Sequence, residues 1–373
     1  MSTGIICEYN PFHNGHIYHI NKINKEFPED TIVLVMSGNF TQRGEVSIID
    51  KWAKTDIALN YVDIVIELPF VFMQSADIFA HGAITILKNM GVDRIVFGTE
   101  TLNIDELKEI ADVQNTKDFD NLVKNYLDEG INYPTALAKA TYDLSNIKVS
   151  SPNDLLGISY VKELKNSDIT PITIKRTNDY NGEELTGEIS SATSIRKALK
   201  EDIDIKDCVP KETYKSLKGK LYYNEDYFDL LKYKIISESD NLDKYLNVDE
   251  GIENRIKKYI HEVNSLEDLI MKVKTKRYTY NKLNRMFTYI LCGFTKEEAK
   301  TYKEPEYIRV LGFNDKGKNY LKKIKETSKL PIITNYTKKY KMLDIELRAS
   351  NVYYILEKDK DLTLEYKHKP IIK

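Results

Sequence analysis

The stretch Thr3-Gly4-Ile5-Ile6-Cys7-Glu8-Tyr9-Asn10-Pro11-Phe12-His13-Asn14-Gly15-His16 decides how the rest of the chain is read. Thr3–Glu8 is short, apolar and suited to a strand, and Gly15–Glu26 can form a helix. The turn between them is the place where open α/β sheets receive ligands. A helix N-terminus presents unpaired N–H groups and partial positive charge to an anion. Gly15 lets a ligand approach the backbone with no Cβ in the way. His13 and His16, three apart, share one side of the first helical turn. Two imidazoles there can donate to phosphate oxygens and stabilise charge on a leaving pyrophosphate.

Working outward, the first hundred residues alternate strand and helix. Thr31–Met36 (TIVLVM) reads as a fully buried strand and Ser37–Val46 as a polar loop. Ile48–Asn60 reads as a helix, Asp63–Leu68 (DIVIEL) as a strand stopped by Pro69, Gln74–Met90 as a helix and Asp93–Gly98 (DRIVFG) as a fourth strand. This alternation predicts a parallel α/β sheet with right-handed crossovers. Asn103–Leu144 is helical with a break near Gly130 and Pro134, and Thr170–Lys175 (TPITIK) is a fifth strand. Ser190–Lys200 runs from a loop into a short helix, and from about Asp204 the chain reads as mainly helical. Two regions are expected: an α/β region over 1–210 and a mainly α-helical, basic region over 211–373.

Charge supports that division. Residues 211–373 hold 35 Lys and Arg against 25 Asp and Glu, whereas residues 1–210 hold 20 against 32. An acidic half joined to a basic one suggests that the second meets a polyanion. No acidic residue occurs between Asp268 and Glu297. That interval carries Lys272, Lys274, Lys276, Arg277, Lys282 and Arg285, interleaved with Tyr278 and Tyr280. Basic side chains neutralise phosphates and aromatic rings stack unpaired bases. A second concentration, Lys316 to Lys329, reads equally well as a solvated helix face.

Several classes are disfavoured. The 373 residues are 42% hydrophobic and 30% charged, which suits a folded core. No stretch approaches the ~18 consecutive apolar residues of a membrane span, and the N-terminus lacks the pattern of a signal peptide. Cys7, Cys208 and Cys292 form no C-x-x-C pair, so a reduced, cytoplasmic protein is expected. His13-x-x-His16-x-x-His19 lacks the glutamate and spacing of H-E-x-x-H, and no metal centre is expected. The turn carries neither G-x-G-x-x-G nor the P-loop pattern. No persuasive Ser-His-Asp or Cys-His set occurs, and no obligate protein partner is evident.

The strand-turn-helix with H-N-G-H resembles the H-x-G-H signature of the nucleotidyltransferase superfamily, which includes the class I aminoacyl-tRNA synthetases. Ser191-Ala192-Thr193-Ser194-Ile195-Arg196 resembles its second motif, S-[ST]-x-x-I-R, with Ala192 where many relatives carry a hydroxyl. The longer string I-I-C-E-Y-N-P-F-H-N-G-H with M-S-G-N-F-T-Q-R-G-E (Met36–Glu45) is more specific. It is similar to the bacterial tRNA(Met) cytidine acetate ligase family. The similarity continues in D-K-W-A-K (Asp50–Lys54), I-E-L-P (Ile66–Pro69), F-G-T-E (Phe97–Glu100), S-P-N-D-L-L-G (Ser151–Gly157) and T-K-R-Y-T-Y (Thr275–Tyr280).

The resemblance implies a Rossmann-like nucleotidyltransferase domain that activates acetate with ATP and passes the acetyl group to the wobble cytidine of elongator tRNA(Met). The steps would be acetyl-adenylate formation with release of pyrophosphate, then attack by the cytidine N4 amine with release of AMP. Magnesium is expected with ATP, and acetyl-CoA is not needed. The resemblance places catalysis on His13, His16 and Arg196. It places ATP on Ile6, Cys7, Glu8, Tyr9, Asn10, Pro11, Phe12, His13, Asn14, Gly15, His16 and Ile17, with Gly98, Asn153, Arg176, Ser191 and Ser194. It assigns tRNA to Lys272, Lys274, Lys276, Arg277, Tyr278, Tyr280, Lys282 and Arg285. In the loop after strand two, Ser37, Gly38 and Asn39 are candidates for the acetate or phosphate region. Gln42 and Arg43 are candidates for substrate contact, and Lys51 for added charge. Two other readings stay open: an adenylyltransferase for a small phosphorylated cofactor precursor, and an RNA-binding protein without catalysis.

Overall fold

A computed structural model of the chain describes residues 1–175, 185, 187–357 and 361–373. Its centre is an eight-stranded sheet: β1 (Ser2–Cys7), β2 (Thr31–Ser37), β3 (Ile64–Leu68), β4 (Arg94–Thr99), β5 (Thr170–Lys175), β6 (Ile308–Phe313), β7 (Ile332–Ile333) and β8 (Ile371–Ile372). The order is β5-β4-β1-β2-β3-β6-β7, with β8 also on β6. Strands β1 to β5 are mutually parallel, and β6 joins the edge of β3 antiparallel.

Around the sheet run α1 (Asn14–Glu26), α2 (Lys51–Ala58), α3 (Ala76–Asn89), α4 (Ile104–Val113), α5 (Lys117–Asp128), α6 (Tyr133–Ser145), α7 (Pro152–Leu164) and α8 (Ala192–Lys200). Then follow α9 (Lys211–Ser216), α10 (Phe228–Ser237), α11 (Ile252–Tyr259), α12 (Leu266–Val273), α13 (Tyr280–Cys292), α14 (Lys296–Thr301), α15 (Asp315–Ile324), α16 (Met342–Tyr354) and α17 (Leu364–Lys367).

Strand β2 is buried along its whole length because both faces of a parallel sheet are covered. Its side chains alternate between two cores. Val33 and Val35 join Ala83 and Leu87 of α3, whereas Ile32, Leu34 and Met36 join Ile20 and Ile23 of α1 and Trp52 of α2. A third core, with Leu231, Ile256, Leu269, Leu283 and Phe287, unites α10 to α13 as a helical module.

Three strands, β6 to β8, come from the region that the sequence reading expects to be mainly helical. Ile308–Phe313 (IRVLGF) is a short β-branched run that satisfies its backbone on the exposed edge of β3. Glu67 and Arg309 stand opposite each other in this register. They belong to a buried ion cluster. Lys51 Nζ lies 2.5 Å from Glu67, 3.3 Å from Glu346 and 3.0 Å from Glu365, and Arg309 lies 3.0 Å from Glu67 and 2.8 Å from Glu365. All five side chains are at most 4% exposed. Lys51, a candidate for charge at the substrate site, is thus consumed in holding α2, β3, α16 and α17 together.

Two cations cannot neutralise three carboxylates, so one must hold its proton. Burial and the neighbouring Glu67 carboxylate push Glu346 well above the ordinary carboxylate range, against the pull of Lys51. Burial also pushes Glu365 up, but Lys51 and Arg309 overcome it and hold that group well below the ordinary range. With Glu346 neutral, the cluster sums to zero charge.

Between the unfolded carboxylate value of ~4.3 and the raised value of Glu346, the folded state holds a proton that the unfolded state has lost. Glu346 therefore makes stability fall as pH rises through that window. Glu346→Gln is expected to flatten the fall, measured by urea unfolding at a series of pH values. Lys51→Met strands the carboxylates and is expected to cost about 3–5 kcal/mol, read from the same unfolding curves.

Candidate active site

The chain runs from β1 outward through β2 to β3, then crosses back to place β4 on the other side of β1. The C-terminal ends of β1 and β4 therefore part at a topological switch point. A cleft of about 250 Å³ opens there. Its floor is Ile6, Cys7 and Glu8 of the β1 end with Gly98 of β4, and its walls include His13, His16, Asn153, Ser191 and Arg196.

The turn after β1 is built by its own side chains. Tyr9 takes a left-handed conformation, φ 49°, which swings the chain out of the strand. Its buried ring packs edge-on against Phe12 at 4.7 Å and against His16 at 4.6 Å. His13 is the N-cap of α1. Its Nδ1 accepts the Gly15 N–H at 3.0 Å, and its own N–H donates to His16 Nδ1 at 3.2 Å. The two imidazoles thus form a reciprocal cap, with ring centroids 3.9 Å apart. Because both Nδ1 atoms accept, the neutral rings carry their hydrogens on Nε2. Both rings line the cleft beside the positive end of α1, an arrangement that can receive an anion.

The facing wall is the loop after β2. Glu8 accepts the Gln42 N–H at 2.6 Å, and burial pushes its carboxyl above the usual range. Arg196 in α8 donates to the Asn10 carbonyl at 2.8 Å and to Glu45 at 2.9 Å. Ser191 caps α8 by accepting the Ser194 N–H. Beneath the loop, buried Lys54 donates to the carbonyls of Glu8, Ser37 and Gly38 at 2.7–3.0 Å. Burial lowers its pKa to about 7. Lys54 ties the end of β1 to the end of β2 and so fixes the cleft floor. On the β4 side, fully buried Asp154 accepts from the N–H groups of Glu100 and Thr101, and Asn153 donates to Glu100.

The expected catalytic and nucleotide residues divide in two. Ile6, Cys7, Glu8, Tyr9, Asn10, His13, Gly15, His16, Gly98, Asn153, Ser191 and Arg196 line the cleft. Pro11, Phe12, Asn14, Ile17 and Ser194 stand behind its walls. Phe12 is in the core, Asn14 donates to the carbonyls of Glu188 and Asp207, and Ser194 donates to the Ser191 carbonyl. Arg176 lies outside the described residues. Ser37 and Asn39 are buried below the loop rather than in the cleft. Gln42 and Arg43 do reach the cleft, as does Glu45, which the sequence reading left without a role. Its signal was its place in Met36–Glu45, one charge beyond the glycine of that loop.

The basic segment abuts the same wall. Asn284 of α13 donates to the Arg43 carbonyl at 2.9 Å, and Thr288 donates to the Gly44 carbonyl at 2.6 Å. Lys272, Lys274, Lys276, Arg277 and Tyr280 are exposed, and Lys282 and Arg285 are half-buried. Lys272 pairs with Glu262 and Arg277 with Glu250, both pairs open to solvent. Tyr278 differs from the expectation of base stacking. It is 3% exposed, sits in the core of the helical module and donates to the Asp249 carbonyl. An apolar ring beside a loop gains more from burial than from exposure. The second lysine concentration begins at the N-terminal ends of the strands, opposite the cleft, where Lys316 donates to the carbonyl of Asp30, just before β2.

A Cβ on Gly15 would meet His13 Cε1 at 2.8 Å and Nδ1 at 2.9 Å. Gly15→Ala must displace the imidazole and break the reciprocal cap, at about 1 kcal/mol in stability. ATP affinity is expected to fall more than ~10-fold, since charge-assisted contacts to phosphate are worth at least that. Calorimetric titration checks it; an unchanged affinity would remove the imidazole pair from the anion site.

A family model described as HIGH Nucleotidyl Transferase matches residues 1–367. The tRNA(Met) cytidine acetate ligase of Caldicellulosiruptor bescii is 43% identical, covering 99% of this chain and 98% of its own. The protein of the same name from Clostridium novyi is 39% identical over the same shares. The crystal structure of Thermotoga maritima TmcAL in its apo form I superposes with a TM-score of 0.92 at 30% identity, covering 100% of this chain and 99% of that one. A second structure of that protein, bound with alpha-thio ATP, has a TM-score of 0.90 at the same identity and coverage. A family match over residues 1–367, relatives near 40% identity over 99% of the chain and a shared fold lead to one conclusion: the chain belongs to the HIGH nucleotidyltransferases and, among them, to the tRNA(Met) cytidine acetate ligase family.

Proposed function

We propose that the protein is an ATP-dependent ligase that joins acetate to the N4 amine of the wobble cytidine of elongator tRNA(Met). An acetate oxygen attacks the α-phosphorus of ATP, giving acetyl-adenylate and pyrophosphate. The cytidine amine then attacks the acetyl carbonyl, and AMP leaves with the oxygen that acetate brought. The first step joins two anions, so positioning and charge neutralisation carry the catalysis. His13 and His16 donate to phosphate oxygens at the α1 N-terminus, and Arg196 adds a cation from the opposite wall. In the second step the cytidine amine is itself the attacking group and gives up one N–H proton to solvent as the amide forms, so no covalent protein nucleophile is required.

One observation carries this reading above its rivals. The wall of the nucleotide cleft, Gln42 to Glu45, is gripped from behind by α13, a helix within the acid-free basic segment. On this reading the nucleotide site and the polyanion site share a structural element. A small-cofactor adenylyltransferase leaves that basic segment without work. Acetyl-CoA has no place in the scheme. Among the described residues no three His, Cys, Asp or Glu side chains cluster as metal ligands, so magnesium would be held by ATP phosphate oxygens and water. Among the described residues no helix is long and apolar enough to cross a membrane. A tRNA substrate would place the enzyme in the cytoplasm, and no step calls for a protein partner.

Purified protein, elongator tRNA(Met), ATP and labelled acetate, with acetyl-CoA omitted, are expected to give label on a cytidine with AMP and pyrophosphate released. Nucleotide binding without label in tRNA would favour the small-cofactor adenylyltransferase instead. His16→Ala is expected to slow adenylate formation by at least ~10² while tRNA affinity stays nearly constant. Replacing Lys276 and Arg277 together is expected to weaken tRNA binding in a salt-dependent manner and to leave ATP binding intact. Equal affinity in a filter-binding titration would remove those two residues from the interface.

A further inference from the structure

The chain leaves β4 at Thr99 and turns beside the N-terminus of α7. Fully buried Asp154 holds that turn. It accepts the Glu100 N–H at 2.9 Å and the Thr101 N–H at 3.2 Å, and Thr101 donates its hydroxyl to it as well. Ser151 in turn accepts the Asp154 N–H at 3.1 Å and caps α7. These bonds bring Glu100 and Asn153 side by side on a pinned backbone. Asn153 then donates from Nδ2 to Glu100 Oε1. Asn153 lines the cleft, and Glu100 stands behind it.

A side-chain amide has a donating end and an accepting end of nearly the same shape. A carboxylate only accepts, so it decides which end it meets. Glu100 takes the Nδ2 end, which leaves Oδ1 as the end that Asn153 offers to the cleft. That oxygen accepts no hydrogen bond from any described residue. The phosphates of a bound nucleotide belong at the α1 N-terminus, beyond the end of β1, so its base extends across the switch point toward the end of β4. The lining there is Gly98, Pro152 and Leu156 beside Asn153. A flat ring fits against a glycine backbone and two apolar side chains, and its polar edge meets the amide. A purine with an amine on carbon 6 donates to Asn153 Oδ1. A purine with a carbonyl on carbon 6 sets acceptor against acceptor.

We infer that Glu100 is a positioning residue that holds the Asn153 amide with its oxygen toward the cleft, and that this orientation makes the site select a 6-amino purine over a 6-oxo purine. Glu100 touches no part of the nucleotide and acts through Asn153. Asp154 keeps the pair in register by fixing the Glu100 backbone. Adenosine and inosine triphosphates carry the same sugar and phosphates, so His13 and His16 cannot tell them apart. The amide at the other end of the cleft can. This inference rests on the proposed binding of ATP in the cleft.

The test titrates full-length protein with ATP and with inosine triphosphate by calorimetry, in the wild type, Glu100→Gln, Glu100→Lys, Asn153→Ala and the double variant Glu100→Gln with Asn153→Ala. The wild type is expected to prefer ATP by about 10- to 100-fold, the cost of opposing two acceptors in a closed site. In Glu100→Gln the new amide can present either end, so Asn153 is free to turn over. The preference is then expected to fall at least ~5-fold, with inosine triphosphate gaining affinity while ATP loses it. A merely structural lesion would weaken both nucleotides alike. Glu100→Lys, which can only donate, is expected to reverse the preference, and it serves should the Gln variant fail to fold. Asn153→Ala is expected to abolish the preference, and adding Glu100→Gln to it is expected to change nothing more. The inference is overturned by a wild type that binds both nucleotides equally or by an unchanged preference in a folded Gln or Lys variant. An equal loss of both nucleotides in those variants, or a further change in the double variant, also overturns it. A wild type that binds neither nucleotide would instead overturn the functional reading, which separates the two.

Discussion

The buried contact of Lys51 with Glu67, completed by Arg309, Glu365 and Glu346, is the constraint on which the rest of the structure depends. It anchors the first turn of α2 against β3. One turn later on the same helix, Lys54 gathers the carbonyls that end β1 and β2. The floor of the cleft is therefore positioned by ions that the substrate never meets. The cluster also pulls in the C-terminal part of the chain, because α16 and α17 supply two of its carboxylates and β6 supplies its arginine. Buried ion pairs add little net stability, but unpaired buried ions are costly. Such a cluster favours the one arrangement in which all five members find each other.

The cleft combines two kinds of support. One is local: a histidine caps its own helix and is held by the histidine one turn on. The other is long-range: Asn224, Asn284 and Thr288, far along the chain, hold the loop that faces those histidines. Adenylate chemistry needs the first. Delivery of a macromolecular acceptor to an intermediate held in a cleft needs the second. The helical module is thus joined to the sheet through a wall of the site, not only through a linker.

Much of this was legible in the sequence. The β-branched runs TIVLVM, DIVIEL and DRIVFG with amphipathic stretches between them announce a parallel sheet, and each is a strand within a residue or two of its expected ends. The H-N-G-H turn lies at the switch point because a strand-to-helix turn in such a sheet has few other places to go. Strand β6 was missed because IRVLGF is one short run in a lysine- and tyrosine-rich region, and its partner β3 lies over two hundred residues away. A usable signal existed: Glu67 and Arg309 are each a single charge inside an otherwise apolar run, and buried charges come in pairs. Lys51 and Lys54 were harder. Lysine carries no mark of burial in sequence, and two lysines three apart on one helix perform separate tasks. Tyr278 shows the limit of reading a basic-aromatic run by composition, since Lys272, Lys274, Lys276 and Arg277 face solvent while its ring turns into the core.

The central claim is that acetate is activated as acetyl-adenylate in the cleft between β1 and β4. It is tested most directly with acetate labelled by ¹⁸O in both oxygens, ATP and tRNA. The AMP released is then analysed by mass spectrometry. The account predicts one ¹⁸O atom in the AMP phosphate for each acetyl group transferred, because the oxygen that attacks the α-phosphorus leaves with it. AMP without ¹⁸O, alongside acetylated tRNA, would contradict the account.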